Sequence, residues 1–184
     1  MLDPLIYRIA ALCFAVLFLV AGMHKIANVN QFRANLSAYK ILPGKLISPV
    51  TRVLPVFEIL LGLIWAANLF QTLSAVLTAL ILSSYTMAIG INLARGRNYI
   101  DCGCGFSSST RTEGQQLSTG LLLRNIALIV TAGIAGITST DRLLGYMDYF
   151  SIVIASIIVV LAYMAFNQLL MNDSIIRSWR VSHG

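Results

Sequence analysis

The chain has 184 residues, of which 58% are hydrophobic and only 11% are charged. A soluble domain ordinarily has about 25% charged residues, and a mean hydropathy of +0.81 is also far from that of a water-soluble globule. The net charge of +6 does not indicate nucleic-acid binding, because no basic stretch is interleaved with aromatic residues. It is better explained by loops at a lipid headgroup surface. The composition excludes soluble enzymes with large polar clefts and predicts an integral membrane protein.

Five apolar segments are long enough, or nearly so, for the roughly 20 residues that a membrane helix needs. They cover about residues 5–23, 53–70, 73–94, 117–137 and 149–170. We interpret all five as helices, because an open strand cannot satisfy its backbone hydrogen bonds in lipid. The prediction is a single all-α membrane domain over residues 1–184. It has a four-helix core over about 5–137 and one additional C-terminal helix.

The connection between the first two predicted spans contains a short amphipathic segment. Its apolar residues recur at three- and four-residue steps: Ile26, Val29, Phe32, Leu36 and Tyr39. This spacing gives one apolar face and predicts a helix lying in the membrane interface, which Pro43-Gly44 should end. His24 and Lys25 close the first span, where we expect a headgroup contact and an interfacial anchor.

Two charged residues lie inside predicted spans. Glu58 is about one and a half turns into the second span and Arg124 about two turns into the fourth. Both spans start from the same side of the membrane, so the two charges lie at similar depth and we expect them to pair. Ionisable groups in a span usually face the bundle interior. One interpretation is a structural ion pair. The other is a pocket lined by Glu58, Arg124 and Asn125 that holds the head of a lipophilic electron acceptor.

The segment Asp101–Gly105 carries two cysteines, Cys102 and Cys104, separated by one glycine. A disulfide between them closes a very small ring, which strains its geometry and makes it a better oxidant. The flanking glycines permit the unusual backbone angles, although Asp101 disfavours the reactive thiolate. The alternatives are an ordinary structural disulfide and half of a metal site. The sequence has no second cysteine pair, so we expect no metal.

Charge is distributed unequally between the two sides of the predicted bundle. If the spans alternate in direction, one side holds the long connections and the C-terminal tail. It then carries ten of the 13 basic residues, namely Lys25, Arg33, Lys40, Lys45, Arg52, Arg95, Arg97, Arg111, Arg177 and Arg180. The tendency of positive loops to stay inside would put this side, with the cysteine pair, in the cytoplasm.

Several motifs together resemble a known family over about residues 5–137. They are Ala21-Gly22-Met23-His24-Lys25-Ile26, Phe32, Tyr39 with Leu42-Pro43, Leu54-Pro55-Val56-Phe57-Glu58, Asp101-Cys102-Gly103-Cys104 and Leu123-Arg124-Asn125. The chain resembles the MauE family of methylamine-utilisation proteins, within the wider DoxX-like membrane group. The features around Pro55 and Glu58 are common in the wider group. The cysteine motif followed by Arg124-Asn125 is much more specific.

The resemblance implies a role in maturing the small subunit of methylamine dehydrogenase. That periplasmic subunit is rich in disulfides and carries a tryptophan-derived quinone cofactor. The family acts beside a thioredoxin-like partner of the MauD type. Its bundle is also similar to that of vitamin K epoxide reductase and of bacterial disulfide-generating proteins, which pass electrons to quinones. By this resemblance Cys102 and Cys104 are the redox pair, and Glu58 and Arg124 are buried charges.

The expected function is therefore that of a thiol–disulfide oxidoreductase in the bacterial inner membrane, with a membrane quinone as electron acceptor. Cys102 and Cys104 are the expected catalytic residues. The expected supporting or cofactor-binding residues are Glu58, Arg124, Asn125, Asp101, His24 and Lys25. One alternative is a non-enzymatic assembly factor for the same subunit, and another is a small transporter that uses Glu58 and Arg124. The chemistry favours a periplasmic cysteine side, in conflict with the distribution of basic residues.

Overall fold

The structure of the protein is a computed structural model that describes residues 3–95, 119–137 and 144–183. All regular secondary structure in these ranges is helical, which confirms the predicted all-α class. The six helices are α1 (Pro4–Ala27), α2 (Val29–Ala38), α3 (Gly44–Ala66), α4 (Gln71–Ala94), α5 (Thr119–Ala135) and α6 (Tyr146–His183).

Four of the helices have stretches that are long and apolar enough to cross a membrane. These stretches are Pro4–Ala27, Gly44–Ala66, Gln71–Ala94 and Tyr146–Leu169, and Gly120–Ala135 forms a shorter apolar helix. They correspond to the five predicted segments. The predicted interfacial helix is also present as α2, in which Phe32 is buried as the apolar spacing requires. The chain is therefore a helical bundle suited to a lipid bilayer.

The start of α3 differs from the prediction. The predicted segment starts near residue 53, whereas α3 begins at Gly44 and contains Pro49 and Pro55. Each proline lacks the N–H group of one helical hydrogen bond, and membrane helices tolerate proline where neighbouring groups satisfy the freed carbonyl. Pro43 does not end α2, which stops at Ala38. Instead it precedes α3 in an extended conformation, with φ −62° and ψ 143°.

Helices α1 and α3 run antiparallel and approach closely at two glycines. A Cβ atom on Gly22 would lie 2.7 Å from Ile59 Cγ1 and 2.9 Å from the Pro55 carbonyl oxygen. A Cβ atom on Gly62 would lie 2.9 Å from Leu19 Cγ. Small residues at such crossings let helix backbones pack tightly in a membrane, where apolar burial alone does not drive helix association.

Helices α3 and α4 also run antiparallel, and a buried hydrogen bond joins them. Trp65 Nε1 donates to Thr78 Oγ1 at 2.9 Å. The same indole ring packs against Phe14 and Tyr7 of α1, with centroid distances of 5.3 and 6.2 Å. Trp65 of α3 therefore contacts both α1 and α4, towards the end of the bundle where α1 begins.

Helix α5 lies antiparallel to α4. Gln71 Nε2 donates to the carbonyl oxygens of Ala135 and Ile137 at 2.8 and 2.7 Å. Ala135 is the last residue of α5 and Ile137 lies just after it, where carbonyl oxygens have no partner within the helix. Helix α6 packs along α1 in the same direction, with Cys13 Sγ 4.0 Å from the Ser156 carbonyl oxygen. The helices alternate so that α1, α4 and α6 end where α3 and α5 begin, and we call this the Lys25 end of the bundle.

Candidate functional site

A buried ion pair lies at the Lys25 end, between Lys25 of α1 and Glu58 of α3. The two side chains are only 3% and 1% exposed. Lys25 is therefore not the interfacial anchor that its position near the end of α1 suggests. A buried ammonium group needs a counter-charge, and Glu58 provides it across the close contact at Gly22.

Tyr85 of α4 completes the cluster. Its hydroxyl donates to Glu58 Oε1 at 2.5 Å, and Lys25 Nζ donates to the Tyr85 oxygen at 3.1 Å. Lys25 Nζ also lies 4.8 Å from the Tyr85 ring centroid and 5.5 Å from that of Phe32 in α2. Aromatic faces attract cations at these distances. We call Lys25, Glu58 and Tyr85 the α1–α3–α4 cluster.

The two carboxylate oxygens of Glu58 differ in their surroundings. Oε1 receives the hydrogen bonds of both Lys25 and Tyr85. Oε2 is buried and has no hydrogen-bond partner within the described residues. Because an unsatisfied buried carboxylate oxygen is costly, Oε2 is the atom of this cluster that is open to a further hydrogen-bond donor.

A second polar group surrounds Arg124 of α5. Its Nη1 donates to Asn167 Oδ1 of α6 at 2.6 Å, and its Nη2 donates to Asn125 Oδ1 at 3.4 Å. The guanidinium carbon lies 5.9 Å from the ring centroid of Tyr163. Arg124 and Asn125 are buried, and the Asn125 Nδ2 donor has no partner among the residues that the structure describes.

The expected ion pair between Glu58 and Arg124 is wrong. Both residues are buried as predicted, but within the described chain Glu58 pairs with Lys25, and Arg124 bonds to Asn125 and Asn167. Similar depth does not make two helices neighbours. Helix α3 packs against α1, whereas α5 packs mainly against α4.

The remaining predicted site residues fall into two groups. His24 is half-buried in the last turn of α1, and its carbonyl oxygen accepts from the Asn28 backbone and side chain at 3.0 and 3.2 Å. Asp101, Cys102 and Cys104 lie outside the described residues, and their roles stay predictions. They belong to the segment between α4 and α5, and α4 ends and α5 begins at the Lys25 end.

Sequence reasoning missed Tyr85 and Asn167 as members of these groups. Each is a polar side chain within a long apolar run, and such residues tend to face the bundle interior. That signal was present for both. The sequence could not specify their partners, which lie on different helices.

The profile of the family described as methylamine utilisation protein MauE matches residues 3–138. The chain belongs to the MauE family. The matched range contains α1 to α5 and the segment with Cys102 and Cys104. Family membership confirms the resemblance seen in the sequence, and the apolar helices make this MauE-family chain a multi-pass membrane protein.

Curated relatives named methylamine utilization protein MauE occur in several bacteria. The protein of Methylophilus methylotrophus is 31% identical over 102 residues, or 55% of this chain and 54% of the relative. That of Paracoccus denitrificans is 30% identical over 132 residues, or 72% of this chain and 69% of the relative. That of Paracoccus versutus is 28% identical over 168 residues, or 91% of this chain and 88% of the relative. No solved structure matches the chain significantly.

Proposed function

We propose that this MauE-family protein is a membrane thiol–disulfide oxidoreductase that acts in methylamine utilisation, in disulfide formation during maturation of the methylamine dehydrogenase small subunit. One observation carries the proposal. The segment with Cys102 and Cys104 joins two helices at the end of the bundle where Lys25, Glu58 and Tyr85 are buried together. A dithiol in a segment that starts and finishes at the same end as buried ionisable groups is suited to chemistry that moves electrons together with protons.

The proposed cycle begins with a disulfide between Cys102 and Cys104. A thiolate of a thioredoxin-like partner of the MauD type attacks one of these sulfurs, which breaks the S–S bond and forms a mixed disulfide. The partner's second thiol then attacks the partner's sulfur in the mixed disulfide, which breaks that bond and releases the cysteine of this chain as a thiol. The partner loses two electrons and two protons and gains a disulfide that it passes to the small subunit. Cys102 and Cys104 become thiols.

Reoxidation of the two thiols re-forms one S–S bond and releases two electrons and two protons. The acceptor that we propose is a membrane quinone, which leaves as the quinol. The chemistry of the described residues fits such an acceptor, because quinone oxygens accept hydrogen bonds and the Asn125 Nδ2 donor is buried without a described partner. Glu58 Oε2, the open carboxylate oxygen, is the group that we propose receives one released proton and passes it on, so that both protons leave on the quinol.

We propose the bacterial inner membrane as the location, with the cysteine side in the periplasm. The substrate subunit implied by the family resemblance is periplasmic, and its disulfides form in an oxidising compartment. Against this stand the ten basic residues predicted on that side, although the charge of Lys25 is compensated by Glu58 in the buried ion pair. The tendency of positive charge to stay inside is strongest for short loops, and basic side chains there are also available for docking partners and lipid headgroups.

The deciding experiment replaces each cysteine in turn. We expect Cys102→Ser and Cys104→Ser to abolish maturation of the small subunit, and one of them to accumulate a mixed disulfide with its partner. Cys13→Ser is the matched control, because Cys13 is a free cysteine within α1 and not part of the segment with Cys102 and Cys104. Unimpaired maturation in either variant overturns the proposal. Loss of maturation without any trapped mixed disulfide would instead indicate an assembly factor.

A further inference from the structure

A cavity of about 330 Å³ lies between α1, α5 and α6, apart from the α1–α3–α4 cluster. Its walls are almost wholly apolar and include Phe14, Leu17, Leu128, Val159 and Val160. Ligand sites in proteins commonly measure about 300–1,000 Å³ and are lined mainly by apolar side chains. The cavity therefore has the size and the chemistry to accept a hydrocarbon chain.

The cavity adjoins buried hydrogen-bond donors at its end nearer the Lys25 end. Tyr163 lines the cavity, and the Arg124 guanidinium carbon lies 5.9 Å from the Tyr163 ring centroid. Arg124 precedes the wall residue Leu128 by one turn of α5. Asn125 Nδ2 lies in the same polar group, buried and without a hydrogen-bond partner in the described part of the chain.

We propose that this cavity is a binding site for a membrane amphiphile with a long apolar chain and a head that accepts hydrogen bonds. The chain occupies the space between α1, α5 and α6, and the head binds at Arg124 and Asn125. Isoprenoid quinones and phospholipids share this chemistry. If the ligand is a quinone, the role of the site extends the proposed function and rests on it. Whether the site exists does not depend on the proposed function.

An occupant of this kind would satisfy both the apolar walls and a buried donor. An empty apolar cavity loses the dispersion contacts that its walls would otherwise make, and a chain restores them. Asn125 is only 2% exposed and its Nδ2 has no acceptor among the described residues, and a buried donor without an acceptor is costly. A carbonyl or phosphate oxygen at the end of the chain satisfies it.

Cys13 offers a direct reporter of occupancy. It lines the cavity, and it is a free cysteine that is half-buried. In a full-length chain with Cys102→Ser and Cys104→Ser, Cys13 is the remaining thiol. The rate at which N-ethylmaleimide modifies it in detergent measures access to the cavity, and the result does not depend on the proposed redox cycle.

The test compares two probes, decylubiquinone and dioleoyl phosphatidylglycerol. A probe that fills the cavity should slow modification about tenfold when present at about ten times its Kd. Protection by decylubiquinone alone supports a quinone site, and protection by the phospholipid, alone or as well, supports a lipid site. Absence of protection by both overturns the proposal.

Two substitutions in α5 separate the head site from the rest of the cavity. Asn125→Leu removes the unpartnered donor and should reduce the protection at a fixed probe concentration severalfold. Thr131→Val is the matched control, because Thr131 lines the cavity but its hydroxyl already donates to the Ala127 carbonyl oxygen at 2.8 Å. It should leave the protection unchanged. Equal loss in both variants, or in neither, contradicts a head site at Asn125.

Discussion

Lys25, two residues before the end of α1, forms a buried ion pair with Glu58 near the middle of α3. The pair joins the two helices that also touch at Gly22 and Gly62. Its energetic weight can be measured by comparing single and double substitutions, because removing one partner leaves the other charge buried alone.

We expect Lys25→Met to destabilise the folded bundle by about 3–5 kcal/mol, the cost of an uncompensated buried charge. The double variant Lys25→Met/Glu58→Leu should recover most of this loss, since both charges are gone. Thermal unfolding in detergent, followed by circular dichroism, measures the difference. Additive losses in the double variant would show that the pair is not coupled.

Tyr85→Phe should destabilise less than Lys25→Met. It keeps the ring beside Lys25 Nζ and removes only the hydroxyl that donates to Glu58 Oε1 at 2.5 Å. A hydrogen bond to a charged group contributes about 1.5–3 kcal/mol. Combining Tyr85→Phe with Glu58→Gln in the same unfolding assay provides the control. The effect of Tyr85→Phe should shrink when the carboxylate is absent, and an undiminished effect contradicts the contact.

Gly22→Ala should loosen the packing of α1 on α3. The new Cβ would lie 2.9 Å from the Pro55 carbonyl oxygen, so backbone must shift at a cost of about 1–3 kcal/mol. Gly133→Ala is the control, because nothing lies within 4 Å of a Cβ there and alanine favours helix by about 1 kcal/mol. Opposite shifts in Tm are expected, and a lower Tm for Gly133→Ala alone would contradict the assignment of the close contact.

Gln71→Leu should loosen the C-terminal turn of α5. The amide Nε2 bonds to two carbonyl oxygens at that end, those of Ala135 and Ile137. Hydrogen exchange should therefore speed up in the last turn of α5, with less change near Arg124. Thr72→Val serves as control, because its hydroxyl makes only a 3.5 Å contact with the Gly136 carbonyl oxygen. Equal exchange in both variants would contradict a specific capping role.

The orientation of the bundle has a direct test in a Cys13→Ser background. If the side with Cys102 and Cys104 faces the periplasm, a membrane-impermeant maleimide should modify the reduced pair in intact cells. Lysed cells show the total thiol available. Modification only after lysis would support the orientation that the ten basic residues favour.

The sequence was sufficient to predict the membrane helices, because a bilayer requires long apolar runs. It also predicted α2, because Val29 and Phe32 follow helical spacing. The partners of Glu58 were not predictable in the same way. Position along a span specifies depth, whereas the choice between Lys25 and Arg124 depends on which helices are neighbours. The early start of α3 was not predictable for a different reason, since proline disfavours a helix interior on average but α3 contains Pro49.

Helix α6 is 38 residues long, which corresponds to about 57 Å at 1.5 Å per residue. The hydrocarbon core of a bilayer is only about 30 Å thick. Helix α6 therefore continues well beyond the apolar stretch that ends at Leu169, at the Lys25 end of the bundle. Asn167, which accepts a hydrogen bond from Arg124 Nη1 at 2.6 Å, lies two residues before the end of that apolar stretch. The contact between α5 and α6 at Arg124 is therefore made close to where α6 leaves the hydrocarbon region.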